Sequence, residues 1–221
     1  MFFIPIIICF IPCITGFFIF RFGCKVKTSH LLIAALLGLI SVLPIGAIQY
    51  VIPDMNILIK HRILYQLLKS IILYGFVEEV IKALMILPLP KKNNSALNFL
   101  LISFLFGLTL GCFESVVYYL DKLNLSVTRG GSLLYVQLFE RIFSSDLIHM
   151  SCAGLCGLFI YTCSQKKARI SFFVLAVILH GLYDFFACFK NGLKWFAIPV
   201  ILLALIECRI KYKAITQDRQ E

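Results

Sequence analysis

Charge is what this 221-residue sequence has least of. Asp, Glu, Lys and Arg make up 14% of it, against 61% hydrophobic residues. That charged share is about half the usual one for a soluble domain. The shortage excludes a water-soluble globule, since no single core of this size hides so much apolar surface. Lipid must be the solvent for most of the chain. Period-two alternation over ten-residue segments is also missing. The apolar runs are instead about 20 residues long, which excludes a membrane barrel and selects helices, whose backbone satisfies itself inside a bilayer. No basic residue precedes the first run, and no small-residue cleavage site stands ahead of a soluble domain. The first run is therefore read as a retained helix. Nine cysteines is an odd number, and Cys9, Cys13, Cys112, Cys152, Cys156, Cys163 and Cys188 lie inside apolar runs. That excludes a disulfide framework and leaves small packing residues. Internal repeats and low-complexity linkers are absent too, so one domain over 1–221 is expected, with a core at about 66–190 and the first two and last helices peripheral.

What is present is seven apolar runs, at about 2–20, 31–53, 66–89, 97–120, 135–163, 171–189 and 194–208. They predict an all-α, polytopic transmembrane bundle of about seven helices. The net charge of +10 sits in the short connections between runs. No basic stripe is interleaved with exposed aromatics, so nucleic acid is excluded as a partner and the positive charge reads as a topology signal. Arg21, Lys25, Lys27, Lys91, Lys92, Lys166, Lys167, Arg169, Arg209, Lys211, Lys213 and Arg219 fall on one side. Lys60, Arg62, Lys122, Arg129, Lys190 and Lys194 fall on the other. Twelve against six places the N-terminus outside and the C-terminus in the cytoplasm. The loop at about 121–134 is then extracytoplasmic, and the polar tail after Ile210 is expected to be solvated.

Against this apolar background, a few residues are out of place. The third run contains Glu78, Glu79 and Lys82, the fourth Glu114 and the sixth Asp184. Five charges facing lipid would cost on the order of 15 kcal/mol, more than a domain's usual net stability. They must face one another, pair, or change protonation state. His149 in the fifth run and His180 in the sixth join them. At about 100° per residue, Lys82 falls between Glu78 and Glu79 in angle and can pair with either. Gly75 lies between them one turn away, where it lets another backbone approach. Gly107, Gly111, Glu114 and Tyr118 share a face, and Ser103 extends it into a small-residue packing stripe. His180 and Asp184, four apart, stack on one face. All these groups fall in the middle-to-outer layer of the expected membrane.

Two chemistries fit this set. A carboxylate beside a lysine and histidines can hold a water and act as general base, with burial and Lys82 together setting how readily it takes a proton. The histidines would then contact the oxyanion formed on a peptide carbonyl. Alternatively, Glu78 or Glu79, His149, His180 and Asp184 are zinc-ligand types, although no H-E-x-x-H is present. Cys152 and Cys156 share the His149 face and read as packing. No G-x-S-x-G elbow and no phosphate-binding glycine loop occur.

At these residues the sequence resembles the PrsW family of intramembrane proteases and, more distantly, the CAAX prenyl protease and bacteriocin-immunity superfamily. Glu78-Glu79-Val80-Ile81-Lys82 is similar to E-E-x-x-K, and Phe113-Glu114 with Tyr118 to F-E-x-x-x-Y. Arg141, His149 and Gly154 resemble the segment that follows, and His180 to Asp184 the closing H-x-x-x-D/N. The family often has Asn where Ser115 stands. The resemblance implies a site-1-type endopeptidase of a bacterial cytoplasmic membrane that cuts a single-span protein such as an anti-sigma factor. It implies catalytic roles for Glu78, Glu79, His149 and His180, with Asp184 accompanying them. Lys82, Glu114, Tyr118 and Arg141 are expected to support them, and zinc is the candidate cofactor. A transporter or proton relay uses the same residue types, and a non-catalytic immunity or scaffold protein of the same fold is the third alternative.

Overall fold

In lipid the apolar runs have one way to satisfy their backbones, and they take it. The computed structural model describes residues 3–52, 61–91, 94–129, 131–190 and 192–217, with side chains described except for Phe3 and residues 124–134. Among these residues every regular element is helical. The order is α1 (Phe3–Phe18), prolonged by the π-helical Ile19–Gly23; α2 (Thr28–Val51); α3 (Arg62–Lys69), a π-helical segment (Ser70–Phe76) and α4 (Val77–Ile86); α5 (Ala96–Arg129); α6 (Gly131–Ser164); α7 (Ile170–Ala187); and a 3-10 turn (Gly192–Phe196) leading into α8 (Ala197–Gln217). Helical backbone angles continue across both ends of the Ser70–Phe76 segment, so α3 and α4 form one rod. Seven rods thus correspond to the seven apolar runs. Five helices of the described chain are long and apolar enough to cross a membrane, and the protein is a multi-pass membrane protein.

Burial sorts the helices. α5 and α6 are mostly enclosed, whereas α1 and α2 present most of their surface outward. Ile7, Leu36 and Leu43 are among the large apolar residues they expose, as lipid-facing helices do. At 34 residues each, α5 and α6 are about 50 Å long, well beyond a hydrocarbon layer of about 30 Å. The helices therefore run on through the segment expected to be a loop at about 121–134, α5 to Arg129 and α6 from Gly131. Asp121, Asn124, Ser126 and Thr128 lie within α5 without ending it, and the break between the two helices falls only at the Gly130-Gly131 pair. Likewise α8 continues past Ile210 to Gln217 and buries Ile215, because the apolar period outlasts the rise in polarity. Of the basic residues counted for topology, Lys60, Lys92 and Arg219 lie outside the described residues.

Small residues let the central helices meet. A Cβ added at Gly107 of α5 would lie 2.7 Å from Ala153 Cβ of α6, and one at Gly111 would lie 2.9 Å from Asp146 Cα. Gly157 of α6 closes on Ser103 in the same way. The stripe of small residues is thus the α5–α6 seam. A second seam joins α7 to the π-helical segment. A Cβ at Gly75 would lie 2.6 Å from the Val177 carbonyl oxygen, and one at Gly181 would lie 2.6 Å from Ile71 Cα.

Candidate active site

These two seams build the site. Gly181 is the neighbour of His180, so the backbone contact with Ser70 and Ile71 presses His180 against the rod that carries Glu78 and Glu79. The π-helical turn just before the glutamates is the kind of helix irregularity that recurs at functional positions. On the other side, the close approach at Gly107 and Gly111 brings His149 of α6 against Glu114, one turn beyond Gly111. The two imidazoles meet edge to face, with ring centroids 4.9 Å apart.

The hydrogen bonds assign each imidazole nitrogen. His149 Nε2 donates to Glu114 Oε2 at 2.9 Å, and its Nδ1 accepts from Lys82 Nζ at 3.0 Å. His180 Nδ1 lies 2.7 Å from Glu79 Oε1 and 3.5 Å from Lys82 Nζ; the tautomer that donates Nδ1–H to the shorter contact, Glu79, leaves the Nε2 lone pair over. That nitrogen is 3.6 Å from Glu78 Oε2 and 3.6 Å from Asp184 Oδ2. Glu78 and Glu79 therefore address opposite nitrogens of one ring. Lys82 Nζ sits 2.6 Å from Glu79 Oε1 and 3.9 Å from Glu78 Oε2. Glu79 Oε2 accepts from Cys156 Sγ at 3.2 Å, so both oxygens of this carboxylate have partners. Glu78 is different. Its Oε1 accepts from Gln49 Nε2 of α2 at 2.9 Å, but its Oε2 is buried with no hydrogen-bond partner among the described residues.

Burial makes the site a funnel. Glu78, Glu79, Lys82, His149 and His180 are all within 5% of complete burial. The side chains of Glu114 and Asp184 remain 23% and 25% exposed, so the cluster opens to the surface at those two carboxylates. Arg141 stands beside Glu114 at 3.4 Å and lies over the Tyr118 ring at 4.7 Å.

A metal ion fits this arrangement. Ligand atoms of Glu78, His149 and His180 all lie within 4.8 Å of one another. Glu78 Oε2 is an orphaned acceptor, and each histidine hands its other N–H to a carboxylate, the usual support for a metal-binding imidazole. Four carboxylates (Glu78, Glu79, Glu114, Asp184) face two cations, Lys82 and Arg141. Four minus two leaves an excess of two negative charges when all are ionised, which a divalent ion balances. The contact to be exchanged is that of Lys82, whose ammonium occupies the Nδ1 lone pair of His149.

Nearly every residue singled out in the sequence comes to this place. Glu78, Glu79, Lys82, Glu114, His149, His180 and Asp184 form one connected cluster, with Arg141 at its edge. Asp184 stands outside the close group of three ligand atoms. Tyr118 is one layer further away, its hydroxyl 3.3 Å from Gln137 Oε1. Three residues were not singled out for the site. Gln49 is a lone amide near the end of an apolar run, and nothing in its spacing links it to a residue 29 positions on. Cys156 was read as packing, yet its thiol donates to Glu79. Asp146, fully buried on α6 beside Gly111, accepts from Ser115 Oγ at 3.2 Å. Its position three residues before His149 was the available signal. The Ser115 hydroxyl, at the position where Asn was expected, is accounted for by this bond.

Fold and site together define a polytopic helical membrane protein with a buried cluster of glutamates and histidines that could hold a metal ion. The family model of PrsW intramembrane metalloproteases matches residues 27–206, and the chain belongs to this family. No curated protein and no solved structure matches it.

Proposed function

We propose that the protein is a site-1-type endopeptidase that hydrolyses a peptide bond of a membrane-anchored, single-span substrate, with water activated between Glu78 Oε2, His149 Nδ1 and His180 Nε2. The observation that carries this reading is Glu78 Oε2. It is a buried acceptor with no donor among the described residues, facing two imidazoles whose outer nitrogens are already committed. A buried polar atom without a partner costs about 1–3 kcal/mol. Such a cost fits an atom kept free for a ligand or a reacting proton.

The roles divide by hydrogen bonding. Gln49 holds Glu78 Oε1, which leaves Oε2 to take the proton of the attacking water. Both oxygens of Glu79 already have partners, so it positions His180 and neutralises Lys82. Glu114 does the same for His149, and Arg141 holds Glu114. Where a divalent ion of the zinc type is bound, Glu78, His149 and His180 would hold it and Glu78 would be a ligand instead of the base, the ion supplying Lewis acidity to a bound water and to the peptide carbonyl. Lys82 then keeps Glu79 and releases His149. The scissile bond arrives from the side of Glu114 and Asp184, where the site is open. The topology from the charge bias puts that side outside the cell membrane, which suits a first cut in an anti-sigma-factor-like regulator.

The test is cleavage of a single-span reporter by the protein in lipid nanodiscs. Glu78→Gln is expected to lower kcat by about a thousandfold, and Glu79→Gln by about 10–100-fold. Chelation abolishes cleavage, zinc restores it, and metal analysis gives one equivalent per chain, reduced in Glu78→Gln. A Glu78→Gln protein that stays inserted and cuts at the wild-type rate refutes the proposal. Full activity in a metal-free preparation refutes the ion and leaves the carboxylate–lysine chemistry.

A further inference from the structure

Two cavities adjoin the open side of the site. One, of about 360 Å³, is an apolar trough between α6, α7 and α8, where Phe143, Ile198, Leu202 and Trp195 present their side chains. Trp195 and Phe143 are 65% and 70% exposed, so the trough faces the surroundings of the bundle. The other, of about 420 Å³, is polar and lies among the ends of α5, α6 and α7, with Tyr118, Arg141, Lys190 and Lys194 in its wall. They share Glu140, Ser144, Tyr183, Ala187 and Lys194, so each is an extension of the other. The polar cavity ends at Arg141, which reaches Glu114 at 3.4 Å and through it His149.

We infer that trough and polar cavity form one substrate cleft, made for a membrane-anchored polypeptide that carries acidic residues beside its anchor. The inference rests on the proteolytic reading of the site. The apolar trough takes side chains from the end of the anchor, and the polar cavity takes the hydrated residues between the anchor and the scissile bond. Charge selects acidic residues there. Arg141, Lys190 and Lys194 face a single carboxylate in the wall, Glu140. The protein itself shows that a carboxylate fits: Lys194 Nζ holds Glu140 Oε2 at 2.5 Å, with the two side chains 40% and 45% exposed. Ion pairs so exposed contribute little stability, and a substrate carboxylate can replace Glu140. Arg141 adds a second unmet demand, because its Nε is buried with no acceptor among the described residues.

Binding separates this inference from the question of cleavage. Single-span peptides with two Glu, two Gln or two Lys beside the anchor are titrated into wild-type and Glu78→Gln protein in phosphatidylcholine nanodiscs. The Glu peptide is expected to bind about fivefold more tightly than the Gln peptide and the Lys peptide more weakly still. The order reverses in the Lys190→Glu/Lys194→Glu variant. A bromine-labelled anchor quenches Trp195 fluorescence when bound. Acid-selective binding without cleavage supports the cleft and counts against the protease. Cleavage with equal binding of Glu and Gln peptides overturns the cleft and leaves the protease standing. Quenching of Trp195 by brominated lipid that no peptide displaces also overturns it, since the trough is then a lipid site.

Discussion

Gly181→Ala is the sharpest test of how the two helix seams place the catalytic groups. The added methyl carbon would sit 2.6 Å from Ile71 Cα and 3.0 Å from the Ser70 carbonyl oxygen, where ordinary contact is 3.4–4 Å. Both obstacles include backbone, so no rotamer change relieves them. α7 must retreat from the π-helical segment by roughly 1 Å, at an overpacking cost of about 1–3 kcal/mol. His180 moves with it, and its 2.7 Å contact with Glu79 opens to about 3.7 Å, beyond a hydrogen bond. A misplacement of about 1 Å costs on the order of a hundredfold in rate. We therefore expect Gly181→Ala to insert and fold with a lowered melting temperature and to cleave a single-span reporter about a hundredfold more slowly, with the loss mainly in kcat. The control is Gly46→Ala, where the new Cβ meets nothing within 4 Å; it keeps both stability and rate. Wild-type turnover by Gly181→Ala would show that backbone contact at this seam does not position His180, and the steric argument would fall.

Three further outcomes follow from the hydrogen-bond assignments. Gln49→Leu removes the donor to Glu78 Oε1 and leaves a second buried carboxylate oxygen unpaired, at about 1–3 kcal/mol; kcat/KM should drop about tenfold or more, with Gln49→Asn no better because its amide is one methylene short. Glu114→Gln weakens the constraint on the His149 tautomer and should reduce metal affinity by about 10–100-fold, measured by competition with a chromogenic chelator; unchanged affinity would remove Glu114 from the supporting role. Cys156→Ala deletes a thiol donor to Glu79 Oε2, but Lys82 and His180 remain, so the rate should change by less than about fivefold; an inactive Cys156→Ala protein of normal stability would place the thiol in the chemistry itself.

The physics of the bilayer made much of this protein legible from sequence. Runs of about 20 apolar residues can only be helices in lipid, and the seven rods stand where the seven runs do. The same argument picked out Glu78, Glu79, Lys82, Glu114, His149, His180 and Asp184, since each is too costly to leave facing lipid alone. Gly75 and the Gly107–Gly111 stripe announced backbone contact, although not with what. The expected loop near 121–134 is helical up to Arg129 and again from Gly131, because a helix projecting into water stays helical until its backbone is interrupted.

Sequence alone thus determined the solvent, the helical class and the costly charged and imidazole groups that come together, because the cost of charge in lipid acts on each residue wherever the chain folds. Tertiary structure decided what spacing within a helix cannot encode. It set which nitrogen of each imidazole is committed, that both oxygens of Glu79 have partners while Glu78 Oε2 has no hydrogen bond among the described residues, and that Gln49 and Cys156 reach the glutamates from α2 and α6. These are contacts between helices, fixed by where two glycine seams let backbones touch, and a period of 3.6 residues carries no information about the neighbour across the seam.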